Sequence, residues 1–164
     1  MTATRTPLPP LDEEAAHAFW KRYLAMTDTG SHAGYADLSF FGDSAELADE
    51  LIDLVLSGQK RATAASVDEF EHEDWPLPRV GDRWIACDGK GEPRAVIETV
   101  EVRIGPLSSV DDQFVWDEGE GDRTRVDWLR GHTTYFSRTH AAKGLPFHED
   151  IPVAFERFTV LHQE

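Results

Sequence analysis

Two stretches of the chain hold side chains that can move a proton. In the first, Gly58-Gln59-Lys60-Arg61-Ala62-Thr63, a lysine stands two residues after a glycine and three before a threonine. A lysine at such a turn is held by backbone rather than by its own long stem. Where it is partly buried, a nearby hydroxyl becomes its proton-transfer partner. The plainer use of Lys60-Arg61 is as two solvated cations complementing the end of a helix. In the second stretch, Trp116-Asp117-Glu118-Gly119-Glu120-Gly121-Asp122, four carboxylates fall between positions 117 and 122, and two glycines let the backbone fold sharply. Crowded carboxylates raise one another's proton affinity, which suits general acid-base work. Their oxygens also suit a hard cation, so Asp117, Glu118, Glu120 and Asp122 are where a divalent ion would be held. The plainer use is helix capping by Asp122, and no EF-hand spacing is present.

The elements that must position these residues follow from periodicity. Met1 to Leu11, with three prolines and no period, reads as a mobile N-terminal tail. From Asp12 to Met26, Ala15, Ala16, Phe19, Trp20, Tyr23 and Leu24 recur at helical spacing and form one aromatic-rich face, and Thr29 to Ala33 breaks it. A short strand is expected at Asp37 to Phe41. Asp43 and Glu46 have capping-box spacing and start a second helix, with the stripe Leu47, Ala48, Leu51, Ile52, Val55 and Leu56 and with Gly58 at its C-cap. Gln59 to Val67 then emerges from a tight turn, and Asp68 to Arg79 reads as a polar loop. Arg83 to Cys87 and Arg94 to Ile104 read as strands of a hairpin closed by Asp88 to Glu92. By a period of two, Glu98 lies on the apolar face of the long strand with Val96, Val100, Val102 and Ile104, unless a bulge turns it out. A carboxylate there is costly unless a cation such as Lys60 pairs with it. A third helix runs from Asp122 or Thr124 to Arg138, and a last strand from Val153 to Leu161. This irregular order, with no repeat and no GxGxxG, predicts an α+β fold with a small, mostly antiparallel sheet or barrel and flanking helices.

Composition narrows the classes of partner. The chain of 164 residues is 40% hydrophobic and 29% charged, and about two thirds of its unfolded surface can be buried, enough for one domain spanning residues 12–164. Its longest apolar runs are far short of the ~20 residues a membrane-spanning helix requires. The N-terminus shows no apolar core of a secretion signal, so a cytoplasmic location is expected. Cys87 is alone and the seven histidines lack ligand spacing, so neither a disulfide nor a structural zinc site is expected, and no cofactor is implied. The net charge of −15 repels duplex DNA and anionic membranes at long range. It favours a nucleoside-sized ligand or a short single strand.

Gly58-Gln59-Lys60-Arg61-Ala62-Thr63 resembles the GxKxxT part of the ASCH-domain signature GxKxxTxR. Phe41-Gly42-Asp43-Ser44, Val80-Gly81-Asp82, Ile97-Glu98-Thr99-Val100, and Asp117 to Asp122 followed by Trp128, His132 and Phe136 agree with it, over roughly Tyr35 to Leu161. The signature's last arginine falls on Ala65, so its role is absent or supplied by Arg61, Arg79 or Arg138. The resemblance implies a PUA-like β-barrel with flanking helices, in a superfamily associated with RNA, whose members include hydrolases of acylated cytidine nucleosides and others that cleave RNA. Their Lys, Thr and Glu triad maps onto Lys60, Thr63 and Glu118, with Glu120 as the alternative; Glu98 is a rival on the strand argument alone. Arg61, Glu98, Glu120 and Arg138 are then expected around the substrate, with Trp116 and Tyr135 as base-stacking platforms. The competing reading is a non-catalytic domain that binds single-stranded RNA or a nucleotide.

Overall fold

The computed structural model describes residues 5–27 and 34–164, so the break expected at Thr29 to Ala33 lies outside the described residues. Five strands form one sheet in the order β1-β3-β4-β5-β2, flanked by five helices. The chain divides into two compact units, and β4 and β5 contribute residues to both.

The first unit comprises the described residues of Met1–Ser57 together with Gly81–Glu98 and Thr159–Glu164. Helix α1 (Glu13–Met26) is capped by Asp12, whose carboxylate accepts from the Ala15 N–H at 3.0 Å. Its expected aromatic face is its buried face: Ala16, Phe19, Trp20 and Tyr23 pack with Leu38, Ile85, Cys87 and Val96. Burial of a side chain such as Phe19 contributes roughly 1.5–3 kcal/mol. Strand β1 (Asp37–Phe40) runs parallel to β3 (Arg83–Cys87), and β3 runs antiparallel to the start of β4 (Pro93–Pro106). The sheet is mostly antiparallel, as expected, with β1 and β3 as a parallel pair that makes it mixed. The connection from β1 to β3, residues 41–82, contains α2 (Ala45–Ser57) and two further short elements and is long enough to return the chain in the same direction. The cap of α2 also differs by one residue. Ser44, not Asp43, accepts from the Leu47 N–H, while Asp43 pairs with Arg5 at 2.6 Å and Glu46 accepts from the Thr6 N–H and hydroxyl. Residues Arg5 and Thr6 of the predicted tail are thus tied to the start of α2.

The second unit, Gly58–Val80 with Thr99–Phe158, contains every residue of the Lys60 cluster described below. Strand β2 (Ala62–Ser66) pairs antiparallel with β5 (Pro152–Gln163), placing Thr63 opposite Glu156. Ser66 then caps α3 (Val67–His72), so the expected loop opens with one and a half turns of helix. Helix α4 (Asp112–Glu118), capped by Asp111, is too short to show a period in the sequence. Helix α5 (Arg125–Lys143) is capped by Thr124 and runs to Lys143, five residues beyond the predicted Arg138, with Gly144 as its C-cap. The core of this unit is Leu107, Phe114, Val115, Trp128, Phe136, Ile151, Val153 and Phe155. No helix among the described residues is long and apolar enough to cross a membrane.

Candidate functional site

Lys60 is delivered by two tight turns. Gly58, at φ +91°, redirects the chain after α2, and the segment that follows is tied to the end of α4. Arg61 N–H donates to the Asp117 carbonyl at 2.7 Å, and the Gln59 side-chain amide donates to the Gly119 carbonyl at 2.7 Å. Gly119, at φ +71°, ends α4 with its backbone so close to Gln59 that an added Cβ would lie 2.5 Å from the Gln59 carbonyl oxygen. Only glycine meets both demands. The two motifs, 60 residues apart, are thereby laced together by one backbone–backbone and one side-chain–backbone hydrogen bond.

Between them lies a buried cluster of charge. Lys60 Nζ donates to Glu120 Oε2 at 2.8 Å and to the Ala62 carbonyl at 2.8 Å, and stands 3.6 Å from Glu118 Oε1. Glu118 also accepts from the Trp128 indole N–H and faces His132 Nε2 at 3.0 Å. Trp128 and His132 sit one turn apart on α5, with their rings stacked at 3.8 Å. Lys60 and Glu118 are each 1% exposed, whereas a quarter of the Glu120 side chain reaches solvent. Charges this deep persist only because each has several partners.

Burial favours the neutral form of Glu118, Glu120 and His132, and neighbours decide which of them resist it. For Glu118, burial pushes upward, but the cations of His132 and Lys60 hold the carboxyl well below the usual carboxylate range. Glu120 is pushed up to about 7, first by burial and then by the negative charge of Glu118, against the pull of Lys60. His132 is raised: burial opposes its charge, and attraction and hydrogen bonding to Glu118 outweigh that. Adjacent carboxylates with opposite shifts are an arrangement in which one stays charged while the other exchanges a proton near neutrality.

The cluster joins Lys60 to Glu118 and Glu120, but not to the rival carboxylate. Glu98 is half-buried and pairs with Arg83 at 2.9 Å in the first unit, so the cation expected beside it is Arg83 rather than Lys60. Thr63 is half-buried on β2, and its hydroxyl forms no hydrogen bond with Lys60. Arg61 donates to the Lys60 carbonyl at 3.0 Å. Trp116 is exposed with the Arg123 guanidinium over its ring at 3.8 Å, and the Tyr135 ring lies 5.3 Å from the Arg138 guanidinium. Of the four carboxylates of the acidic turn, Asp117 pairs with Arg157 at 3.1 Å, and Asp122 accepts from Thr124 beside the α5 cap. Ligand atoms of Glu118, Glu120 and His132 lie within 4.8 Å of one another, and Lys60 already supplies positive charge to both carboxylates. His132 and Trp128, which the family resemblance includes, are site residues to which the sequence assigns no role. Their one-turn separation was a usable signal, but nothing local shows that the turn faces Glu118.

A mixed half-barrel flanked by helices is a PUA-like fold, and here it carries a buried lysine after the Gly58 turn with Glu118 and Glu120 on either side of Gly119. The model of the ASCH domain matches residues 37–162, and the chain belongs to the ASCH domain family. The chain is 28% identical to an ASCH domain from Lactobacillus crispatus JV V101, with a TM-score of 0.82, covering 91% of this chain and 95% of that one. A protein from Enterococcus faecalis V583 of the family DUF984 is 32% identical, with a TM-score of 0.81 and coverage of 90% and 88%. No curated protein matches the chain.

Proposed function

We propose that the chain is a hydrolase acting on an acylated, RNA-derived nucleoside or a short single-stranded RNA, with the chemistry carried by Lys60, Thr63 and the Glu118/Glu120 pair. The observation that carries this reading is the contact of one buried lysine with two carboxylates of opposite proton affinity. Acid-base catalysis needs a group that takes up and gives back a proton beside a fixed charge, and Glu120, partly open to solvent and in contact with the buried Lys60 ammonium, is placed to be one.

The roles divide by geometry. Glu118 accepts from Trp128, faces His132 and Lys60, and is closed to solvent, so it anchors the two cations and keeps its charge. Glu120 touches Lys60 and reaches the surface, which moves the proton-carrying role from Glu118, the first expectation, to Glu120. In the acyl transfer, the Thr63 hydroxyl or a water beside it attacks the acyl carbonyl and gives its proton to Glu120. The Lys60 ammonium faces the developing oxyanion, and Glu120 returns the proton to the leaving amine as the bond breaks; where Thr63 is the nucleophile, a water then attacks the Thr63 ester and gives its proton to Glu120, which returns it to the Thr63 oxygen as the carboxylic acid is released. In such a site the ammonium provides the electrostatic stabilisation that a metal would otherwise supply.

The competing reading, a domain that binds the same ligands without chemistry, draws on the near-complete burial of Lys60 and on Ala65 in the place of the signature's arginine. Incubating the pure protein with excess N-acylated cytidine, and separately with labelled single-stranded RNA, with and without EDTA, distinguishes the two. Product in excess of enzyme, abolished by Lys60→Ala, is the expected result; saturable binding without product would replace the hydrolase with a reader.

A further inference from the structure

We propose that the free edge of β4 over Thr99–Gly105 pairs antiparallel with the same edge of a second copy of this chain, centred on Val102. The pairing of β3 with β4 ends at Glu98, and among the described residues no loop backbone hydrogen-bonds to the strand beyond it. One side of the ladder from Thr99 onward is therefore a row of unpaired peptide groups, a template for another strand. Pro106, with no N–H, ends that row.

The side chains on this edge are self-complementary in one register. Val100 and Ile104 are 46% and 49% exposed, and by a period of two they share a face with the half-buried Val102. Glu101 and Arg103 occupy the other face, where Glu101 also pairs with Arg157 at 3.2 Å and the Arg103 guanidinium donates to Ser109 and lies over the Phe155 ring, so pairing across copies adds to or replaces these contacts. With Val102 opposite Val102, Val100 meets Ile104 and Glu101 meets Arg103, so apolar faces apolar and each acid faces a base. A shift that places Glu101 opposite Glu101, or Arg103 opposite Arg103, sets like charges against each other. A shift by a single residue sets valine against charge. The partner must therefore carry the same alternation, which a second copy does by symmetry.

The test is the mass of the full-length protein by sedimentation equilibrium from micromolar to submillimolar concentration. The expected result is a dimer that dissociates on dilution. Val102→Lys and Glu101→Arg are each expected to give monomer, and the exchange Glu101→Arg with Arg103→Glu to restore the dimer. A monomer at every concentration, a dimer untouched by both single variants, or a double exchange that stays monomeric overturns the proposal. Amide exchange in the wild-type chain needs no variant: protection of residues 99–105 is expected to rise with protein concentration, and concentration-independent protection also overturns it.

Discussion

His132 presents both ring nitrogens to acceptors, Nε2 to Glu118 Oε1 at 3.0 Å and Nδ1 to the Trp128 carbonyl at 2.9 Å. A neutral imidazole has one donor and one acceptor nitrogen, so only the doubly protonated ring satisfies both contacts. The site therefore holds Glu118 between two cations, His132 and Lys60. Removing either member of the buried pair leaves charge uncompensated. Glu118→Gln and His132→Ala are each expected to cost about 3–5 kcal/mol, measured by urea denaturation. A loss under about 1 kcal/mol for both would mean that solvent already screens the pair.

Glu120→Gln is expected to behave differently, since its side chain reaches water and has Lys60 as its cation. Turnover should drop by roughly 10²–10⁴ while the fold survives. The wild-type rate should inflect near the Glu120 value of about 7, and the variant should lose that inflection. Wild-type turnover in Glu120→Gln, with Lys60→Ala inactive, would return the role to Glu118.

Stability should fall as the medium becomes alkaline. Glu120 takes up its proton more readily folded than unfolded, so its contribution is present below its ordinary value of 4.5 and is lost as the pH rises through about 7. His132 is also raised, so its contribution is present below 6.5 and is lost as the pH climbs through its folded value. Glu118 has the opposite sign: its contribution is present above 4.5 and fades toward strong acid. The melting temperature should therefore decline between about pH 5 and pH 8, less steeply in Glu120→Gln. A rise across that interval in the wild type contradicts the assignment.

The Arg83–Glu98 pair is partly exposed, with side chains 31% and 27% accessible, and lies in the first unit. Glu98→Gln should change stability by no more than about 1 kcal/mol and leave turnover alone. A loss of several kcal/mol together with activity would show that Glu98 serves the Lys60 cluster after all.

Cys87 is 1% exposed, and burial pushes its thiol up to about 12. Native protein should resist a thiol-specific disulfide reagent and react fully in denaturant. Rapid reaction of the folded chain would place that part of β3 at the surface.

What the sequence by itself determined is local. The stripe of Phe19, Trp20 and Tyr23 specifies the buried face of α1 because helical spacing puts those rings on one side of any helix they form. Gly58 before Lys60 specifies a turn because a residue without Cβ adopts positive φ cheaply. Short elements escaped notice: β2 and α4 have too few residues to establish a period, and β1 carries no mark of a parallel partner. Only the tertiary structure decided which carboxylates meet Lys60. Glu98, Glu118 and Glu120 are equivalent as residue types, and their separation along the chain says nothing of distance. The hydrogen bonds from Gln59 to Gly119 and from Arg61 to Asp117 bring the acidic turn to the lysine, while Arg83 takes Glu98. The charge on His132 was decided in the same way, since protonation depends on what faces each nitrogen, and those partners meet only after α4 and α5 have packed.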